Sequence, residues 1–313
     1  MLILDTALRH SRSGDRRTGW FVLIAVAVLG LTIGLAISWS ASDPIIPSGS
    51  AISIAPPSTL EAVLPAPTPG LFFRGPFAYG ISVDGRPLLA YRLGTGPSAR
   101  AIIGSIHGGY ERNTAMLVNE MLDYLRENPA LLPDEVTLYV IPCANPDGYA
   151  AGTDRKRGRT NGNGVDLNRN WDYRWQPIAT HGDRPVCAGA RPFSEPETAA
   201  LRDFILERDV EAAIFYHSAM ERIFYGAESE WSATDDLALV VSRATGYPIA
   251  AGIPDQVTTG DAIDWMSARG LAGIEVELTN HEDIEWERNL RGLEAFLGWI
   301  VPARPGMPDG KPR

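Results

Sequence analysis

Hydrophobic and polar residues are distributed unevenly along this 313-residue chain. Trp20 to Trp39 (WFVLIAVAVLGLTIGLAISW) carries no charge, and about 20 apolar residues suffice for a helix to cross a bilayer. The run is apolar on every face, unlike an amphipathic core helix, and a proline-rich stretch follows it. It predicts one N-terminal transmembrane helix. From Ala41 to Gly70, proline, serine and alanine dominate without helical or strand period, the composition of an extended tether. Beyond residue 71 the pattern alternates. AIIGSI (Ala101–Ile106), EVTLYVI (Glu135–Ile141), EAAIFY (Glu211–Tyr216) and AGIEVEL (Ala272–Leu278) are short branched or aromatic runs suited to buried strands. Leu117, Met121, Tyr124 and Leu125 share one face of a helix after Asn113, and Ser194 with Glu197 forms a capping-box signature ahead of ALRDFILERD. Strands separated by helices predict an α/β fold, a three-layer sandwich with a mixed, mostly parallel central sheet and ligands at the loops beyond the strand ends. The expected organisation is a cytoplasmic basic segment (1–19), a transmembrane signal anchor (20–39), a linker (40–70), a catalytic domain (71–303) and a flexible tail (304–313).

Charge narrows the partners. The chain is 45% hydrophobic and 21% charged with a formal net charge of −10. That fits one large globular domain plus a small attachment and excludes a disulfide miniprotein, a multi-span membrane protein and a disordered acidic chain. The one basic cluster is the short loop RKRGR (Arg155–Arg159), so no nucleic acid is expected as a partner. Arg9, Arg12, Arg16 and Arg17 precede the apolar run against Asp5 and Asp15, which keeps the N-terminus cytoplasmic and the domain extracytoplasmic. Small residues at Ser38, Ser40 and Ala41 permit cleavage, which would make the protein secreted. Oligomeric state is open.

Candidate chemistry sits at strand ends. Five histidines and two cysteines leave few ways to build a metal site. After the first strand the chain reads IHGGYE, so His107 and Glu111 leave on a glycine-softened turn, and FYHS places His217 at the end of the third. Two imidazoles, one carboxylate and an open fourth position form the ligand set of a hydrolytic zinc site. His10, His181 and His281 sit outside such motifs and are expected to play no part. Glu277 lies within the apolar run AGIEVELT, where a carboxylate is costly unless paired or used.

In order along the chain, IHGGYE, NPDGY (Asn145–Tyr149), RTNGNGVDLNRNW (Arg159–Trp171), FSEPE (Phe193–Glu197), FYHS (Phe215–Ser218), AIDW (Ala262–Trp265) and VEL (Val276–Leu278) span the whole domain, which resembles the zinc metallocarboxypeptidases of the carboxypeptidase A and T type. The resemblance implies one zinc ion per chain held by His107, Glu111 and His217, and hydrolysis of the C-terminal peptide bond of a peptide by zinc-activated water. Glu277 then matches the general base, with Glu275, on the same side of the strand, as the alternative. Arg159 matches the arginine that stabilises the oxyanion, a role for which Arg155 and Arg157 compete. Asn168 and Arg169 match the pair that grips the substrate's free carboxylate. Asp166 matches the carboxylate that fixes the tautomer of the first zinc histidine.

Two departures from the family pattern stand out. Glu111 lies four residues after His107, where the family commonly has three, and Gly108 and Gly109 are expected to absorb the extra residue. Where many members carry a substrate-capping tyrosine this chain has Gln256, so either Tyr247 or another residue substitutes or the contact is absent. Specificity is expected near Asp261–Asp264. Ile263 suggests an apolar wall, and Asp261 a site for lysine, arginine or the amine of diaminopimelate, unless it only starts a helix. The loops of Cys143 and Cys187 approach each other in such a fold, so an extracytoplasmic disulfide is considered. Two other functions stay open: trimming of cell-wall stem peptides, amidase or deacylase chemistry on the same scaffold, and a catalytically silent surface-anchored binding module.

Overall fold

A computed structural model describes residues 72–226, 233–250 and 258–302. The apolar run at 20–39, the linker at 40–70, the tail at 304–313 and Gln256 lie outside the described residues. No helix among the described residues is long and apolar enough to cross a membrane.

The elements, in chain order, are β1 (Phe73–Ile81), β2 (Pro87–Leu93), β3 (Ser98–Ile103), α1 (Arg112–Glu127), β4 (Val136–Ile141), α2 (Pro146–Ala150), β5 (Ile178–His181), β6 (Arg184–Cys187), α3 (Pro196–Glu207), β7 (Val210–Ser218), β8 (Arg222–Tyr225), α4 (Ala233–Thr245), β9 (Ile249–Ala250), α5 (Ala262–Ala268), β10 (Ala272–Leu278) and α6 (Trp286–Gly298). The large sheet runs β1-β2-β4-β3-β7-β10-β8-β9, and β5-β6 form a separate hairpin. Its heart, β4-β3-β7-β10, is parallel. β1 and β2 extend it antiparallel on one side, and β8 runs antiparallel to β10 on the other.

Strand alternation splits the core into two layers. Ile102, Ile214, Tyr216, Ile274 and Val276 face one side and pack with Leu117 and Met121 of α1, Leu237 and Val241 of α4, and Leu293 and Phe296 of α6. Ala101, Ile103, Ala213 and Phe215 face the other and pack with Leu201 and Phe204 of α3 and Trp265 and Met266 of α5. Helices therefore cover both faces, and the parallel strands are buried along their length, as the unbroken apolar runs predict. His217, Glu275 and Glu277 occupy odd positions on β7 and β10, so they emerge on the α3–α5 side.

The capping-box expectation needs correction. The residue preceding α3 is Glu195, which makes no side-chain cap, and Pro196 occupies the first turn. Ser194 instead donates to Glu195 Oε1 at 2.6 Å. Proline's fixed φ starts the helix without a capping hydroxyl.

Arg100 on β3 ties the last helix to the sheet. Its guanidinium, buried, donates to the carbonyls of Phe296, Leu297 and Trp299 at the end of α6. Phe296 O also accepts from Trp299 N at 3.4 Å, and a cation at this helix end meets the negative end of the helix dipole. Replacing Arg100 with alanine removes a buried donor from all three. Urea unfolding of Arg100→Ala is expected to show a loss of about 3 kcal/mol, with an unchanged slope.

Candidate active site

The turn after β3 delivers two of the candidate ligands. Gly108 to Glu111 form a single 3₁₀ turn with His107 just before it, which brings residues 107 and 111 onto one side and accommodates the longer spacing. Gly108 has φ +52°, and a Cβ there would collide with the carbonyl oxygen of Gly158. One at Gly109 would meet that of Gly152. The glycine pair thus serves close backbone approach as well as turn geometry. Asn145 of the NPDGY motif locks the same junction: its side chain donates to the carbonyls of Ile106 (3.3 Å) and Arg159 (3.4 Å) and accepts from Gly148 N at 2.9 Å. Asn161 binds Glu195 Oε2 (2.8 Å) and Glu197 Oε2 (3.0 Å), fixing the loop that carries Arg159 and Asp166. The distant motifs are therefore one scaffold.

His107, Glu111 and His217 offer ligand atoms that all lie within 4.8 Å of one another. The imidazole centroids are 4.9 Å apart, and His217 Nδ1 is 3.2 Å from Glu111 Oε2. All three residues are buried, yet Glu111 Oε2 has no hydrogen-bond partner, and neither does Glu277 Oε2 beside them. Buried polar atoms are seldom left unsatisfied, and two nitrogens plus a carboxylate suit a zinc ion with one position open. The residues fit the metal.

Charges around this trio are arranged in pairs. Arg159, buried, donates from Nε to Asp166 Oδ2 at 2.8 Å and lies 3.5 Å from Glu111 Oε1. Burial opposes its charge, but Asp166 and Glu111 outweigh this and raise its pKa. Arg155 and Arg157 are exposed on the same loop, so Arg159 alone of the three turns inward. Asp166 Oδ1 faces His107 Nδ1 at 3.5 Å. Burial pushes the Asp166 carboxyl up, and Arg159 and Arg169 more than reverse it. The His107 pKa falls well below the ordinary value through burial, Arg159 and His217. Burial also works against a charged His217, but Glu275, Glu111 and Glu277 raise its pKa to about 9. Glu277 is pushed up to about 8 by burial and the neighbouring Glu111.

A cavity of about 340 Å³ opens onto these groups, and Asn168, Arg169, Asp261 and Ile263 line it with them. The Arg169 guanidinium is pinned by the carbonyls of Thr180 (3.1 Å) and Asn168 (2.7 Å). Asn168 accepts from Ala262 N at 3.0 Å and donates to Glu275 Oε1 at 2.8 Å. Asp261 caps α5 through Asp264 N at 2.8 Å and also lines the cavity, so the helix start and the binding wall are the same residue. Burial, Asp264 and Glu275 hold the Asp261 carboxyl well above its usual range.

Three expectations are corrected. His181 and His281, given no part from sequence, both line the cavity. Tyr110 lies between them, with ring centroids 6.5 Å and 4.5 Å away. Burial and the nearby Arg159 lower His181 to about 4, and His281 Nδ1 is 2.9 Å from the Ser218 hydroxyl. Neither the short exposed strand β5 nor the loop after β10 carries a local signal for these histidines; only His281's partner, Ser218, belongs to a motif. Tyr247 does not substitute for a capping tyrosine, because it is fully buried and bonded to Glu285 and Asn289. The Cys143–Cys187 disulfide is not formed: both thiols are free, Cys143 turning inward to Ser105 Oγ at 3.7 Å and Cys187 lying exposed at the end of β6.

Residues 76–282 match the zinc carboxypeptidase family. Among similar proteins, carboxypeptidase B of Astacus astacus is 30% identical over 74% of this chain and 84% of its own length. Murein peptide amidase A of Escherichia coli K12 is 32% identical over 74% and 92% respectively. The crystal structure of the murein-tripeptide amidase from Escherichia coli O157 superposes with a TM-score of 0.56 at 27% identity, covering 74% of this chain and 95% of that one.

Metal binding at the trio must expel the proton that the surrounding carboxylates hold on His217. Below a pKa of about 9, one competing proton weakens apparent zinc affinity about tenfold per pH unit. Chelator competition across pH is expected to show affinity rising from neutral pH and levelling near 9.

Proposed function

The chain belongs to the zinc carboxypeptidase family, and from that premise we propose that it releases the C-terminal residue of peptides, with Glu277 as the general base. One observation carries this reading. Glu277 Oε2 is a buried, unpartnered carboxylate oxygen beside the His107–Glu111–His217 trio, in a cavity that also presents Arg159 and Arg169. His107, Glu111 and His217 would hold a zinc ion, which would supply Lewis acidity to the scissile carbonyl and the attacking water. Glu277 takes the proton from that water and hands it to the departing amine; its raised pKa suits both halves of the transfer. Arg159, held by Asp166 and Glu111, meets the negative charge that develops on the carbonyl oxygen. Arg169, with Asn168, receives the free carboxylate of the substrate. Asp166 orients His107.

The acidic part of the cavity lining favours a second reading on the same scaffold. Asp261, Asp264 and Glu275 line the cavity together, and their mutual repulsion is relieved by a cation. A terminal residue bearing both a carboxylate and an amine, such as a diamino acid, satisfies Arg169 and these carboxylates together. Cell-wall stem peptides contain such residues, which agrees with the likeness to murein peptide amidase. We place the domain outside the membrane on the 40–70 tether, because the 20–39 run is charge-free and arginines precede it.

Mass spectrometry of peptides and muropeptides incubated with the zinc-loaded protein tests direction of cleavage and terminal preference; release of internal fragments alone would reject the carboxypeptidase reading. Glu277→Gln is expected to retain one zinc per chain and lose turnover by several orders of magnitude. Near-normal turnover in that variant sinks the base assignment. Arg169→Ala should depress hydrolysis of free-carboxylate peptides far more than of amidated ones, and an equal loss on both rejects carboxylate docking.

A further inference from the structure

We propose that Glu275 is a positioning residue for His217, accepting the Nε2 proton of that imidazole and so reserving Nδ1 for the metal. This rests on the zinc reading above.

The parallel register of β10 against β7 sets Glu277 beside His217 and Glu275 beside Phe215, two residues back. Glu275 and Glu277 leave the strand on the same side as His217. The imidazole is 2% exposed, so solvent does not serve it. Its Nδ1 looks towards Glu111, a fellow ligand, at 3.2 Å. Its Nε2 points away, without a hydrogen-bond partner, and the carboxylate facing it is Glu275, with Oε1 at 3.6 Å. A buried donor left unpaired is costly. A neutral histidine carries one proton, and the nitrogen without it is the one that ligates a metal. A carboxylate at Nε2 decides which nitrogen that is.

Glu275 is itself fixed. Asn168 Nδ2 donates to Glu275 Oε1 at 2.8 Å, and Ala262 N donates to Asn168 Oδ1 at 3.0 Å. The first turn of α5 is thereby connected through Asn168 and Glu275 to a metal ligand. The arrangement parallels that at the other histidine, where Asp166, held by Arg159, faces His107 at 3.5 Å. Each imidazole has a carboxylate facing one of its nitrogens, and each of these carboxylates is anchored by a separate side chain. The same contacts distinguish Glu275 from Glu277. Glu275 is engaged with Asn168 and faces an imidazole nitrogen, whereas Glu277 keeps an oxygen unpartnered, so the strand's two carboxylates have different tasks.

Such carboxylate partners of ligating histidines typically contribute 10- to 100-fold in metal affinity. The test titrates the full chain with zinc against a competing chelator on the alkaline plateau, where protonation of His217 no longer competes, and records the absorption spectrum of the cobalt-substituted protein. Glu275→Ala is expected to weaken zinc about 10- to 100-fold and to alter the cobalt spectrum. Glu275→Gln, which preserves shape, should lie between it and the parent, with thermal unfolding of the metal-free form showing that both variants fold. Unchanged affinity and spectrum in both, with only KM for amine-bearing peptides raised, overturns the proposal and leaves Glu275 as a substrate contact. Failure of the parent chain to bind zinc would instead overturn the zinc reading itself.

Discussion

Carboxylates gather at the carboxyl ends of the parallel strands in greater number than the cations that could neutralise them. Glu111, Asp166, Glu277 and Asp261 are all buried there, with Glu275 close by, and the buried guanidiniums among them are Arg159 and Arg169. Uncompensated buried charges cost several kcal/mol each, so this corner needs cations or protons brought to it. The scaffold answers in two ways. Arg159 bridges Asp166 and Glu111, and His217 stays protonated up to a pKa of about 9 in the absence of metal. A divalent ion takes over from that proton when it binds. The fold's stiff parallel heart, packed with helices on both faces, is what holds like charges together against their repulsion.

Much of this was legible in the residues. AGIEVEL, EAAIFY and EVTLYVI are recognisable as strands because central parallel strands are buried on both faces and need no alternation. Glu277 and His217 stand out by chemistry, since polar side chains in such runs must be used or paired. β1 and β2 were not anticipated, because β1 is an edge strand whose GPFAYG lacks an apolar run and β2 beside it mixes buried and partly exposed positions. The β5–β6 hairpin is similarly short and exposed. His181 and His281 escaped notice because their proximity to the cavity depends on chain crossings, not on neighbouring residues. The Cys143–Cys187 pairing failed for a related reason: nearness of loops does not fix the direction in which a side chain points, and Cys143 turns into the protein.

The glycines between His107 and Glu111 illustrate how local and distant constraints meet. The longer His–Glu spacing requires a 3₁₀ turn, and that turn presses against the 148–158 loop so closely that no side chain fits at 108 or 109. Asn145 fastens both segments at once. The placement of His107 and Glu111 is therefore held by the packing of a loop that contributes no residue to the trio.

Strand β10 presents Glu275 and Glu277 two residues apart, on one face and next to the same histidine. Evolution cannot retune these positions independently. A lineage that altered residue 275 to admit a different terminal side chain would simultaneously perturb the metal centre, and compensating changes at Asn168 or in the first turn of α5 would have to accompany it. Substrate range in this scaffold is thus tied to metal retention wherever residue 275 takes part in it.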